Sequence, residues 1–486
     1  MRAGLTSPRL GTLPQIPPGA IAAVTVLAAI ACGRFFADGH MKYAAALVLV
    51  TIYAPLVFFD LPTALALWTA VLFFHDIKAL SVAPNSMGVL VGLGFIGALI
   101  TRPRALPVLT QHRRLIIATV LFCIWMTLSA AWAQQPGLAA SQAGFYWLAA
   151  LAFLIVMTTV NRPRDIKIIA LAFVGGAAVA AVIGLASRGL DAANANQVGQ
   201  TAINGRLTGG GGDPNLQAAG FVAAMFLAMG LMTVYRRRAA RIGLIAAFAL
   251  ITVAFFATES RGGLLSLIVT TIAAFLLFPD QRRRFLGLVL IASAIAAIFI
   301  ASNPGSFSRI TDFGGGTSGR SDIWTVATKV FAQHPLAGVG LNNFEVVEPR
   351  FALLHRNVSR VTYIAEKPDP AHNSYLQLLA DTGVIGLLGF LVIVLASLRA
   401  TWLAARVFER KGQRDYAHLS RAALMGTVGM LTAIFFITDG DDWRLWLLLG
   451  LGPALLAMAG RTPDLNRARS TGQDAGAEQS VIGRRQ

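Results

Sequence analysis

Apolar runs of roughly 17–25 residues, each long enough to cross a bilayer as a helix, follow one another along almost the whole chain. No other feature limits the fold as strongly. In hydrocarbon every backbone amide needs a partner within the protein, so such runs close their hydrogen bonds as helices. The chain has 486 residues, of which 56% are hydrophobic and 13% charged, whereas soluble domains average about 25% charged. The pattern predicts an all-α membrane protein, a polytopic bundle of about 12–14 transmembrane helices by the length criterion. Expected spans are 17–36, 41–59, 61–80, 84–101, 115–133, 140–160, 166–186, 214–235, 241–258, 261–279, 285–301, 374–398, 419–438 and 443–460.

Short loops order the two ends of this bundle. Segments 101–114, 161–165, 235–241, 280–285 and 399–421 are strongly basic, and they alternate with 131–137, 258–261 and 439–442, which are nearly free of Lys and Arg. Positive loops stay on the cytoplasmic side, so both termini are expected inside and the long loops 187–213 and 302–373 outside. The expected organisation is a cytoplasmic segment 1–16, a transmembrane bundle 17–301 carrying external loop 187–213, a large periplasmic loop 302–373, C-terminal transmembrane helices 374–460, and a disordered basic cytoplasmic tail 461–486. Residues 1–16 are polar and lead into a retained span rather than a cleaved signal.

The net charge of +18 follows from those basic loops. No interleaving of aromatic and basic residues of the kind a nucleic-acid groove needs is present, so no nucleic-acid partner is expected, and the membrane lipid is. The two cysteines, Cys32 and Cys123, lie inside apolar runs. Neither a disulfide nor a metal site is expected from them and the scattered histidines. No internal repeat is visible, which weakens a transporter reading.

Chemistry is expected in the long loops, because long ordered loops in compact proteins are commonly functional. NGRLTGGGGDPNLQ, 204–217, combines a flexible Gly209–Gly212 run with a helix cap at Asp213 and Pro214 in the first turn. Those features explain everything there except Arg206, and a lone loop arginine is ordinarily solvated. In ATESRGGLLSL, 257–267, Arg261 stands where the chain re-enters the membrane. It is either a snorkelling anchor or a ligand group, and Gly262 and Gly263 favour the second by permitting close approach. In the large loop, Ile323, Val326, Ala327, Val330 and Phe331 recur at helical spacing, predicting a short amphipathic helix with Arg320 just ahead of its start. His334 reads as a helix-end residue. In AHNSYLQLLADTG, 371–383, a helix is expected to begin near His372, placing His372, Gly383 and Gly386 on one face. A helix N-terminus favours neutral imidazole. Arginine grips phosphate bidentately, so Arg206, Arg261, Arg320 and His372 at one membrane surface imply an anionic ligand such as a lipid-linked pyrophosphate.

These motifs resemble the bacterial O-antigen ligase and O-antigen polymerase superfamily. The resemblance rests on Arg261–Leu265 as Arg-x-x-x-Leu, on GRSDIW with HPLAGVG in the long loop, on His372 with Gly383, and on Asp213-Pro214-Asn215 after Arg206. It spans roughly the C-terminal 60% of the chain. It implies a glycosyltransferase of the bacterial cytoplasmic (inner) membrane, acting in lipopolysaccharide or polysaccharide biosynthesis. The glycan moves from undecaprenyl pyrophosphate to an acceptor hydroxyl on the periplasmic face, with inversion and with no cofactor or metal. In a ligase the acceptor is a lipid A core sugar; in a polymerase it is another lipid-linked glycan. The roles that follow are pyrophosphate binding and neutralisation of its growing charge for Arg206 and Arg261, pyrophosphate binding or bracing of the loop for Arg320, and orientation of the acceptor hydroxyl with proton acceptance for His372. A lipid-linked glycan flippase or other transporter is the rival from a different class.

Overall fold

The computed structural model describes residues 41–74, 83–101, 111–187, 205–303, 320–354 and 366–462, with a few isolated positions between. The expected span 17–36, the terminal segments and much of both long loops lie outside these residues. The described part is a helical bundle: α1 Met41–Phe59, α2 Leu61–Val71, α3 Ala83–Thr101, α4 Arg113–Leu128, α5 Pro136–Thr159, α6 Pro163–Ser187, α7 Pro214–Val234, α8 Arg238–Ala257, α9 Arg261–Leu277, α10 Arg282–Ser302, α11 Arg320–Gln333, α12 Phe344–Leu353, α13 Ser374–Arg410, α14 Arg414–Ala433 and α15 Trp443–Arg461. Among the described residues nine helices are long and apolar enough to cross a membrane, and three shorter apolar helices accompany them. The one strand pairing described is a two-residue ladder, β1 Ala202–Ile203 with β2 Arg206–Leu207.

The bundle has two chemically distinct ends. At one, basic segments hold one another through ion pairs: Arg164 with Asp60 at 2.9 Å, Arg236 with Asp415 at 2.9 Å, and Arg421 with both Asp280 at 2.6 Å and Glu409 at 2.7 Å. Lys411 Nζ donates to the carbonyls of Ala459 and Thr462, each at 2.8 Å. At the other end lie the start of α7, the α8–α9 turn, α11, α12 and the starts of α13 and α15. The alternation of basic and neutral loops is therefore a real division of the bundle.

Three expectations change. The run 61–80 forms a helix only to Val71. The segment 399–421, expected as a loop, is mostly helix, because α13 continues to Arg410 and α14 begins at Arg414. Gly209–Gly211, expected to be flexible, are buried; a Cβ at Gly209 would lie 2.6 Å from the Ala180 carbonyl and one at Gly210 2.5 Å from Ile77. Glycine here lets a loop enter the bundle, since any side chain would collide with its walls.

The long helix α13 is broken at Gly383, whose φ of 67° and ψ of −169° are not helical. The break frees backbone groups among buried residues, where an unpaired one is costly. Four of them are taken up by neighbours. Val339 N donates to Ala380 O at 3.0 Å, Gly340 N to Asp381 O at 2.8 Å, and Val384 N to Pro335 O at 2.9 Å. Trp125 Nε1 donates to Thr382 O at 3.0 Å. The segment HPLAGVG thus lies across the kink. Behind it, α11 and α12 share a small core of Ile323, Val326, Val330, Phe344 and Phe351 with Ala371 and Ala380. The amphipathic helix expected in the large loop is present, and it packs on the start of α13.

Candidate active site

Arg261 and Arg320 begin helices, His372 stands just before one, and Arg206 begins a short strand. Arg206 opens β2. The hairpin turn ahead of it contains Gly205 at φ 76°, and Asn204-Gly205 is a strong two-residue hairpin signal. Sequence reasoning passed over that signal, although it is what presents Arg206. The Arg206 guanidinium donates through Nε to Thr258 O at 2.9 Å and through Nη2 to Asn215 Oδ1 at 3.0 Å. It therefore ties the start of α7 to the α8–α9 turn and is not a solvated loop arginine.

Arg261 is the first residue of α9. Ser260 caps that helix, accepting from Gly263 N at 3.0 Å and donating to Asn215 Oδ1 at 2.8 Å. A cation in a first turn opposes the helix dipole, so capping gives no reason for an arginine there. Arg320 likewise is the first residue of α11, not a residue ahead of it.

His372 lies outside its helix. Asn373 is the cap, accepting from Tyr375 N and Leu376 N, both at 3.1 Å, and His372 before it has φ 49°. The expected shared helical face of His372, Gly383 and Gly386 does not form, because His372 precedes the cap and Gly383 breaks the helix. Strained non-glycine positions cluster at functional sites, and Glu259, beside Ser260, has the same φ of 49°. The chain before His372 is tightly held: Trp324 Nε1 donates to Ala371 O at 2.8 Å, Ala371 N to Gln377 Oε1 at 2.8 Å, and Asp369 N to Glu348 Oε2 at 3.0 Å.

The electrostatics bring these positions together. Burial pulls the His372 imidazole below its ordinary value; the Arg320 charge adds to this, while Asp369 and Asp213 oppose it. Burial, against the pull of Asp213 and with the Arg261 charge, lowers Arg320. Arg320 thus lies within reach of the Arg261 and Asp213 charges and His372 within reach of those of Arg320 and Asp213, and Arg206 reaches the α8–α9 turn through Asn215 and Thr258. The neutral imidazole expected from a helix dipole is favoured here mainly by burial. Asp213, which sequence reasoning explained fully as a cap, does cap α7 through Asn215 N at 2.6 Å. It is also a carboxylate whose charge acts on both Arg320 and His372.

A second group of acids was read only as a loop free of Lys and Arg. Burial, with the Asp442 charge beside them, pushes the Asp439 and Asp441 carboxyls up. Asp442 itself is paired with Arg444, the two being 5% and 2% exposed, and Arg444 Nη1 reaches Gln217 Oε1 at 3.4 Å. A cavity of about 200 Å³ beside the start of α13 is lined by Gln142, Tyr146, Glu345, Gln377, Asp381 and Asp441 among others. Burial also pushes Glu348 up to about 8. The signal for these acids was their presence in an apolar context; their burial came only with the fold. Among the described residues no group of three or more His, Cys, Asp or Glu is placed to hold a metal ion.

The arrangement offers three guanidinium groups at or near helix starts and an imidazole held neutral by burial, with Arg320 linked by charge to both Arg261 and His372. Helix N-termini and arginines are groups that favour a phosphate-bearing ligand, and a neutral imidazole is a group able to accept a proton. Residues 246–391 match a family described as O-Antigen ligase, a stretch running from within α8 into α13 that holds Arg261, Arg320 and His372 and leaves Arg206 outside. No curated protein matches the chain.

Proposed function

Taking as premise that this helical membrane protein carries a domain of the O-antigen ligase and polymerase superfamily, a family of membrane glycosyltransferase-type enzymes, we propose that it is an O-antigen ligase of the bacterial inner membrane. Its donor is a glycan on undecaprenyl pyrophosphate, and its acceptor is a hydroxyl of a lipid A core sugar. The site end faces the periplasm, both termini are cytoplasmic, and residues 302–373 form a periplasmic loop over the bundle. The observation that carries the reading is that Arg320 lies within the electrostatic reach of Arg261 and His372 within that of Arg320, with Asp213 acting on both Arg320 and His372.

In this proposal Arg206, Arg261 and Arg320 hold the pyrophosphate. The acceptor oxygen attacks the anomeric carbon from the face opposite the leaving group, which inverts it. The bond from that carbon to the pyrophosphate oxygen breaks, and its electron pair leaves with undecaprenyl pyrophosphate. The charge developing there is stabilised by the guanidinium groups, which are already in place. His372 takes the acceptor proton as general base. The acidic, amide-lined cavity beside Ser374 suits sugar hydroxyls and is where the acceptor ring is seated.

A polymerase of the same superfamily differs in acceptor, not in this chemistry. Lipopolysaccharide from a deletion strain, separated on a gel, tests the assignment. Loss of the whole ladder with lipid-linked polymer retained is expected. A core bearing a single repeat would assign the protein as a polymerase, and an unchanged ladder would remove it from this step.

A further inference from the structure

The cationic residues at the opposite end of the bundle frame a second site. Two cavities between α7, α8, α9, α10 and α14 share Phe226, Met229, Phe248 and Phe285, so they form one groove along the bundle. The part nearer the active site has about 500 Å³ and an almost wholly apolar wall that includes Phe256, Leu267 and Ile300. The part nearer the basic end has about 440 Å³, and its mouth carries Arg241, Arg283, Arg284, Gln281 and His418. Ile245, Ile268 and Ile272 at its edge are exposed on the bundle surface, so the groove opens sideways toward lipid.

Two further observations concern the mouth. Gln281 is 7% exposed and its Nε2 donor has no hydrogen-bond partner, nor has His418 Nδ1. A buried polar atom without a partner is costly, and here two belong to residues that line the same cavity. The nearby acids are committed elsewhere, Asp280 to Arg421 and Asp415 to Arg236. The mouth therefore combines excess positive charge with a buried amide donor that lacks an acceptor. Meanwhile α10 is poorly held: 12% of its apolar window is buried, against 78% for α7.

We propose that this groove binds a diacyl phospholipid with an anionic headgroup. Its phosphate accepts from Gln281 Nε2 and from Arg283 and Arg284, and one acyl chain lies along Phe248 and Phe285 toward Phe256. Basic pockets between transmembrane helices select anionic headgroups, and the combined space falls within the range of roughly 300–1,000 Å³ usual for ligand sites. The lipid fills the seam that the protein leaves open and fastens α10 to α7, α8 and α14. The site is separate from the transfer site and does not depend on which glycan is moved.

Native mass spectrometry of the purified full chain, titrated with phosphatidylglycerol or with phosphatidylcholine of the same chains, tests this. Phosphatidylglycerol is expected to remain bound at collision energies that strip phosphatidylcholine. The double variant Arg283→Gln with Arg284→Gln, whose side chains are exposed at the mouth, should lose that preference at least tenfold. Ser293→Trp, which fills the apolar part, should lower binding of both lipids. A thermal midpoint raised by phosphatidylglycerol in wild type, and not in the double variant, would agree. Equal retention of the two lipids, unchanged phosphatidylglycerol binding by the double variant, or occupation by polyprenyl phosphate alone would each overturn the proposal.

Discussion

Gln377 and Asp381, one turn apart at the start of α13, are joined by a hydrogen bond of 3.0 Å. Gln377 also accepts from Ala371 N at 2.8 Å, directly before His372. Asp381 accepts from the backbone amides of Asn342, Asn343 and Phe344, at 3.0, 3.2 and 2.8 Å. The pair therefore couples the segment that presents His372 to the start of α12 and, through it, to the loop packed over the kink. Both side chains are buried. Gln377→Leu is expected to lower transfer about tenfold or more, since small misplacements of a reacting group are costly. The fall should appear in kcat with little change in KM for the donor. An unaltered kcat in a stably inserted variant would show that His372 is positioned without Gln377.

His372 should set the acid limb of the pH profile. Burial, helped by the Arg320 charge, holds its pKa below the ordinary imidazole value of 6.5, so the imidazole is neutral and able to accept a proton above that lowered value. Activity is expected to persist below pH 6.5 and to fall as His372 protonates. Arg320→Gln removes a cation that disfavours imidazolium, so the limb should move to higher pH. His372→Ala should lower transfer by roughly 10²–10⁴-fold at all pH values. A uniform loss in Arg320→Gln, with no shift of the limb, would make Arg320 a brace of the loop rather than a neighbour of the base.

Arg261 separates anchoring from recognition. An interfacial anchor is served equally by Lys, since both side chains snorkel. A planar fork on two phosphate oxygens is not. Arg261→Lys is expected to lose most transfer and Arg261→Ala nearly all of it, measured in purified membranes with a lipid-linked donor and normalised to protein level. Full activity of the Lys variant would exclude a bidentate grip.

Gly383→Ala should be among the most damaging small substitutions in α13. The backbone there has φ 67°, and an added Cβ would overlap the Leu336 carbonyl. Backbone strain alone costs roughly 1–3 kcal/mol, and the overlap would also push HPLAGVG off the kink. Gly243→Ala, where a Cβ meets nothing within 4 Å, is expected to leave the thermal midpoint of the purified protein nearly unchanged. Equal midpoints for the two variants would refute the argument.

The sequence by itself determined the helical membrane bundle, the sorting of basic loops to one end and the positions of Arg206, Arg261, Arg320 and His372. These follow from chain-local physics: the length of an apolar run, the charge of a short loop, and a cap or glycine at a helix boundary. It also carried unread local signals, such as the Asn204-Gly205 turn before Arg206. Only the tertiary structure decided that His372 stands outside its helix, that Gly383 is a break filled by the Leu336–Ala337 backbone, and that the Asp213 charge reaches Arg320 and His372. It alone decided that Asp381 caps a helix distant in sequence and that Gly209–Gly211 pack inside the bundle. Each of these depends on which groups a residue meets across the fold. Desolvation, charge–charge influence and the pairing of freed backbone groups are properties of that neighbourhood and have no signature in the spacing of residues along the chain.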